Sequence, residues 1–344
     1  MDIYKILKFN QSIKSHRVKF FGLWLLSLLD KRYLSIQLDP VLACNLRCKM
    51  CYFTDDEYVR QNMKGILKED DLEPLAKSVF KNALKLQIGC GAEPTLFKHN
   101  VKLIEIARRY KVPYISMITN GNLLDEKGIQ DLSRAGLSEI VLSMHGVHKE
   151  TYEDLMDKGK YEKFHEILKF ITEEKKHNPK LRLRINYTFN KDNFYELKEF
   201  FNFYDQYAID IIQLRPIDKI GETTYNEFSL KTIEEDYIAI SRNMKEEAEK
   251  RKITLLYPKA IHRDETQSLK VETGNDSSYL IPYTYFYVSP KFSWKEDFDW
   301  RTEDFSSWKK RNNWNMQLLK NTLRSKESLY DTNRNMLNYS VDIN

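Results

Sequence analysis

Three of the four cysteines in this 344-residue chain, Cys44, Cys48 and Cys51, fall within eight positions in the stretch ACNLRCKMCYF. Thiolates at C-x3-C-x2-C spacing on one tight loop can converge on a common metal centre. A chain this poor in cysteine does not read as a secreted disulfide framework; the cluster of thiols fits a reducing compartment. An iron–sulfur cube usually takes four cysteines, so three thiolates and no neighbouring fourth leave one iron open. Open coordination marks a catalytic site, by the logic that separates catalytic from structural zinc. The amine and carboxylate of an amino acid moiety would suit the vacant corner. The competing reading is structural zinc, with Cys90 or a histidine as fourth ligand.

These residues need a scaffold, and the flanking sequence supplies one. LSIQL (34–38) reads as a strand and runs directly into the cysteine loop. Further strands are expected at 84–89, 114–119, 139–144, 181–189 and 210–215. Helix-periodic segments separate them at 70–83, 100–110, 125–135, 160–176 and 193–206. Six strand–helix units imply an α/β fold of parallel strands with helices outside, either an open sheet or a barrel-like one. After Gly221 the rhythm stops. A charged helix from about Ser229 to Lys252 follows, with Thr232 and Glu235 placed like a capping box, then a strand at 253–257. Residues 258–280 read as loop and 281–344, rich in Tyr, Trp and Phe, as a small appended region. The expected divisions are 1–33 (N-terminal amphipathic or capping helices), 34–225 (core) and 226–344 (C-terminal extension).

Composition bounds the function. Hydrophobic residues make up 42% and charged residues 31%, the balance of a soluble globular protein. The net charge of +5 is spread over interspersed signs, with no basic arm, so nucleic acid is not an expected ligand. FFGLWLLSLL (20–29) follows Lys14, Arg17 and Lys19 but lacks a small-residue cleavage site and is too short to span a bilayer. Two readings stand: a helix capping the open end of the fold, or an amphipathic helix making membrane-surface contact through residues 14–32. Both agree with a cytoplasmic protein, the second with one peripheral to the inner face of the membrane.

CNLRCKMCY resembles the signature loop of the radical S-adenosylmethionine (SAM) superfamily, and further motifs follow in order. GCGAEPTL (89–96) resembles the family's glycine-rich Glu-Pro motif, TNGNLL (119–124) the motif after the third strand, and LSMHGVHKETYEDL (142–155) the segment after the fourth. QLRP (213–216) falls at the end of the sixth. Each motif lies at the C-terminal end of an expected strand, the face where parallel barrels gather ligands. The resemblance covers roughly residues 34–225 and implies a partial (β/α)6 TIM-like barrel with a small C-terminal extension. It implies two cofactors, a [4Fe-4S] cluster held by Cys44, Cys48 and Cys51, and SAM chelating the fourth iron.

By the same resemblance Tyr52 packs near the adenine, and Gly91, Ala92, Glu93 and Pro94 receive the SAM amine. Thr119, Asn120 and Ser143 neighbour the ribose or carboxylate, and Asn186 and Gln213 contact the adenosine. Each polar side chain has a plainer alternative as a cap or turn residue. Cys90 reads as a small buried residue. His145 stands where the family usually has Asp; it and Arg215 are the candidate catalytic residues, His145 as a proton carrier. Their plain alternatives are a structural histidine and an arginine paired with an acid. The resemblance implies an electron donor such as flavodoxin or ferredoxin. The tail, YTYFYVSP followed by FSSWKKRNNWNMQLLKNTL, resembles the SPASM-type extension of peptide-modifying members, but no cysteine remains after Cys90. Aromatic packing is the expected replacement for the auxiliary clusters, with unrelated tail helices as the alternative. The expected substrate is a peptide or protein, or an envelope sugar or other lipid-linked molecule. A non-catalytic binding protein stabilised by zinc or a cluster is the alternative.

Overall fold

The computed structural model describes residues 3–216, 223, 233–258, 277–295, 297–329 and 341–343. Gly221, Thr232 and most of the 258–280 stretch lie outside them, as does the expected capping box. Six strands occur where alternating or continuous apolar runs predict them: β1 (Leu34–Leu38), β2 (Ala83–Ile88), β3 (Tyr114–Thr119), β4 (Glu139–Met144), β5 (Arg182–Phe189) and β6 (Ile211–Pro216). They pair in parallel in chain order. The sheet is that of a partial TIM-like barrel and does not close.

Three further strands extend it. β7 (Thr254–Pro258) continues the parallel order beside β6. β8 (Tyr285–Val288) pairs in parallel with the other side of β1, and β9 (Val341–Ile343) runs antiparallel to β7. Residues after 226 therefore contribute strands to both margins of the same sheet.

The strands follow a two-faced pattern. Ile36, Leu86, Met117, Ile140, Leu142, Ile185 and Ile212 are buried in the main core with the surrounding helices. Helix Glu126–Ala135 shows the local logic. Asp125 caps its first turn through the Gly128 amide at 2.7 Å. Gly136, at φ 110°, ends it in the left-handed conformation. Ile129 and Leu132 are buried in the core, and Lys127 and Arg134 are exposed. The helix expected at 193–206 is instead a 3-10 segment, Phe194–Glu199, followed by a short α-helix, Phe200–Tyr204.

The intervening strand positions are polar and stand side by side. Gln37 is in register with Gln87, Gln87 with Ser116, and Ser116 with Glu139. Higher up, Ser143 is in register with Asn186, and Asn186 with Gln213. Closed barrels fill this interior with branched apolar side chains; here it carries hydrogen-bonding groups.

The first helix, Ile3–Ser12, stops the lower end. Ile3 and Tyr4 pack with Tyr114, Ile211 and Leu256. The phenols of Tyr4 and Tyr114 both donate to the Glu139 carboxylate, Tyr114 at 2.6 Å, and Arg184 lies 3.4 Å from its other oxygen. Arg32, expected near a membrane surface, turns inward and donates to the carbonyls of Phe80, Ala83 and Tyr110.

Candidate active site

The cysteine loop leaves β1 at Asp39 and returns through a 3-10 turn, Tyr52–Thr54. Cys44, Cys48 and Cys51 are half-buried free thiols. They are close enough that ionisation of Cys51 or Cys44 would raise the pKa of Cys48. Burial pushes the Cys44 thiol up to about 12, and Glu93 and Cys51 add to the rise against Arg47. Burial likewise raises Cys48 and Cys51. These shifts favour the neutral thiols over the thiolates. Arg47, which also donates to the Cys44 and Leu46 carbonyls, supplies a positive charge that favours the anionic form.

The Glu-Pro loop sits against this one. The Glu93 amide donates to the Ala43 carbonyl at 2.9 Å, and the Tyr52 phenol donates to the Gly91 carbonyl. Gly89, at φ 84°, is where a Cβ would fall 2.4 Å from the Ile118 carbonyl oxygen, so only glycine fits. A Cβ on Gly91 would lie 2.6 Å from the Tyr52 hydroxyl, so the glycine lets Tyr52 close directly against the backbone.

Glu93 is almost fully buried and its carboxylate is heavily used. Oε1 accepts from the Thr95 amide (3.1 Å), the Thr95 hydroxyl (2.5 Å) and the Thr119 hydroxyl (2.6 Å); Oε2 accepts from the Asn120 amide (2.8 Å). Burial raises its pKa and these donors oppose the rise. The carboxylate therefore ties the loop after β2 to the loop after β3, which leaves little of it for a ligand's ammonium group. Thr119 completes the tie by accepting from the Gly121 amide at 2.9 Å. Asn120 reaches the cysteine loop, with Nδ2 donating to Asn45 Oδ1 at 2.9 Å and lying 4.0 Å from Cys44 Sγ.

Ser143, Asn186 and Gln213 occupy adjacent strands in register. Gln213 accepts from Arg184 at 3.4 Å. Asn186 Oδ1 and His145 Nδ1 are buried with no hydrogen-bond partner among the described residues. Such atoms await a ligand or water. Burial and the nearby Arg215 charge lower the His145 pKa to about 4, so its imidazole is neutral at pH 7. Pro94, at the start of the 3-10 turn Pro94–Leu96, and Ala92 complete the loop. Cys90 departs from expectation. Its side chain is exposed and lies 3.5 Å from Gln37 Oε1 and 3.8 Å from Gln87 Nε2, on the polar side of the sheet.

Sequence reading missed Asp39 and Tyr287. Asp39 accepts from the Cys90 amide at 2.7 Å and the Gly91 amide at 3.1 Å, and Tyr287 on β8 donates to it at 2.9 Å. An acid ending a strand just before the cysteines was the available signal for Asp39. For Tyr287 it was the alternation in YTYFYV, which puts Tyr285 and Tyr287 on one face. Asn193 was also missed; it holds the His145 carbonyl from below at 2.7 Å.

The donor set fits an iron–sulfur cluster with one open iron. Three free thiols share a loop, the Gly91 loop is tied to it through the Tyr52 phenol, and Asn186 and His145 each keep a buried polar atom without a partner among the described residues. Among the described residues no three His, Cys, Asp or Glu side chains are drawn around a single point as one metal ion would need.

Comparison with known proteins agrees. Residues 39–204 match the Radical SAM superfamily. A probable GTP 3',8-cyclase of Sulfurisphaera tokodaii is 24% identical over 60% of this chain and 62% of its own length. One of Sulfolobus acidocaldarius is 26% identical over 56% of this chain and 59% of its own. The chain thus spans about three-fifths of the length of these relatives. The fold is similar to that of Streptococcus suis SuiB bound to precursor peptide SuiA. The TM-score is 0.59 and identity 14%, covering 82% of this chain and 66% of that one. It is also similar to anSMEcpe with bound AdoMet, at TM-score 0.50 and 23% identity, covering 64% of this chain and 62% of that one.

Proposed function

We propose that this chain, whose residues 39–204 match the Radical SAM superfamily, is an enzyme that performs [4Fe-4S]-dependent reductive cleavage of SAM to start hydrogen abstraction from a substrate. When bound, the cluster and SAM supply the difficult chemistry: one electron splits the sulfonium into methionine and a 5'-deoxyadenosyl radical.

Cys44, Cys48 and Cys51 would hold the cluster, with Arg47 offsetting part of its negative charge. The loop from Gly91 to Pro94 would receive the SAM amine; the Glu93 side chain braces that loop through Thr119 and Asn120. Ser143, Asn186 and Gln213 would line the nucleoside, and Asn186 Oδ1 would accept a hydrogen bond from it. Neutral His145 and charged Arg215 would face the substrate side of the mouth. The observation that carries this reading is three free thiols on one loop at the carboxyl end of a parallel strand, packed against the Gly91–Pro94 loop through Tyr52 and the Glu93 amide.

The substrate we propose is a peptide or protein, or an envelope sugar or lipid-linked molecule, with flavodoxin or ferredoxin as electron donor. The test is anaerobic reconstitution with iron and sulfide, followed by SAM and dithionite. The expected result is 5'-deoxyadenosine from the wild type and none from Cys48→Ala. A zinc-loaded, colourless protein inert towards SAM would support the non-catalytic alternative. Stimulation of turnover by GTP, for which the cyclase relatives are named, would redirect the substrate assignment and leave the radical chemistry standing.

A further inference from the structure

The second helix, His16–Leu28, is apolar on two sides. Phe20 and Leu23 face the protein and are buried in the core. The opposite side is a second stripe that nothing among the described residues covers: Val18, Phe21, Leu25, Leu26, Leu28 and Leu29 are exposed, from 39% at Leu26 to 56% at Leu29. Helical geometry puts them on one face. Positions 18, 21, 25, 28 and 29 follow the three- and four-residue spacing of a single stripe about 17 Å long. Single exposed apolar residues are ordinary, but a contiguous stripe marks a contact surface.

Its charge identifies the partner. Residues 3–29 contain Lys5, Lys8, Lys14, Arg17 and Lys19 and no acidic residue. Lys14 and Arg17 are exposed at one end of the stripe and Lys31 at the other. Asp30, the nearest acid, is taken up by ion pairs with Lys81 and Lys309. Leu323, strongly exposed, lies close by, because the neighbouring Arg324 carbonyl meets His16 at 3.0 Å. An apolar face with a basic rim matches the interface of an anionic bilayer, where aliphatic side chains enter the acyl boundary and Lys and Arg meet headgroups. No helix among the described residues is long and apolar enough to cross a membrane, and this one has 13 residues.

We propose that the helix His16–Leu28 docks this protein on anionic lipid, with its Val18–Leu29 stripe in the interface plane. This is independent of the SAM reading, because the stripe shares no residue with the active site.

The test is flotation of the full chain with vesicles of phosphatidylcholine alone or with about 30 mol% phosphatidylglycerol. The wild type should float with the anionic vesicles at least about tenfold better than with the neutral ones, and about 0.5 M salt should weaken this. The variant Leu25→Asp/Leu28→Asp alters exposed positions only. It should keep the wild-type melting temperature and lose flotation. Lys14→Glu/Arg17→Glu should lose the preference for anionic lipid. A wild type that stays with the load, or flotation unchanged in the leucine variant, overturns the proposal. So does sedimentation showing a dimer without flotation that the leucine variant dissociates, which would make the stripe a contact between copies of the chain.

Discussion

The phenol of Tyr287 donates to the carboxylate of Asp39 across 2.9 Å, joining the strand that enters the sheet last in space to the one that enters first in sequence. The same carboxylate holds the amides of Cys90 and Gly91. Residues far beyond the stretch that matches the Radical SAM superfamily thus help set the loop proposed to receive SAM. Backbone pairing reinforces the link, since the Asp39 amide donates to the Val288 carbonyl at 3.0 Å.

Asp39→Ala leaves two part-buried amides and a phenol without their acceptor. Each uncompensated donor costs about 1–3 kcal/mol. We expect a lower melting temperature and SAM binding weakened by about tenfold or more. Tyr287→Phe removes one donor and should show the same pattern in smaller measure. Unchanged SAM affinity in both variants would show that the Gly91 loop does not need this anchor.

Glu93→Gln separates bracing from direct ligation. The carboxylate takes four donors from Thr95, Thr119 and Asn120, and an amide NH2 placed among them cannot accept from all. Loss of stability by about 2 kcal/mol or more in the absence of any ligand is expected, since hydrogen bonds to charged groups contribute about 1.5–3 kcal/mol each. Denaturant unfolding of the ligand-free protein reads this directly. Wild-type stability with impaired SAM binding alone would return Glu93 to the role of amine ligand.

The extension is held by rings. Trp308 lies 4.7 Å from Trp294 and 5.2 Å from Trp314 between ring centroids, and its indole donates to Asp297 at 3.1 Å. Phe286 on β8 stacks on Trp294 at 4.0 Å, so this cluster also backs the strand that carries Tyr287. Trp308→Ala should cost about 3–5 kcal/mol. Iron content per folded chain should stay at the wild-type value; a proportional loss of iron would place cluster binding under the control of the extension.

Strands β1 to β6 were legible because each is a short apolar run with a turn or helix pattern on either side, a purely local signal. The cysteine loop was legible because its spacing is itself the chemistry. Long-range partners were not. Tyr4 meets Glu139 across 135 positions and Tyr287 meets Asp39 across 248, and no local pattern encodes either pairing. The aromatic run YTYFYV looked like tail because a sheet margin 250 residues earlier in the chain defines its role. Glu93 was read as a ligand for an amine because its neighbours Thr119 and Asn120, brought up by β3, are invisible in the sequence around it.

His145 makes the stability of the fold depend on acidity with a calculable sign. Burial, with the Arg215 charge adding to it, lowers the folded-state pKa to about 4, against an unfolded value near 6.5. Between those two values the unfolded chain binds a proton that the folded chain refuses. Stability from this group is therefore full above about pH 6.5 and falls as the pH drops towards about 4. The shift corresponds to about 3 kcal/mol at most. Other groups titrate in the same range, so the quantity to measure is the difference between wild type and His145→Gln in denaturant unfolding at about pH 7.5 and about pH 4.5. The wild type should lose more stability than the variant over that interval. Should the substitution prevent folding, the imidazole titration in the wild type by NMR gives the same answer. An imidazole that titrates near 6.5 in the folded protein would mean the side chain is solvated, and would restore it as a proton carrier at neutral pH.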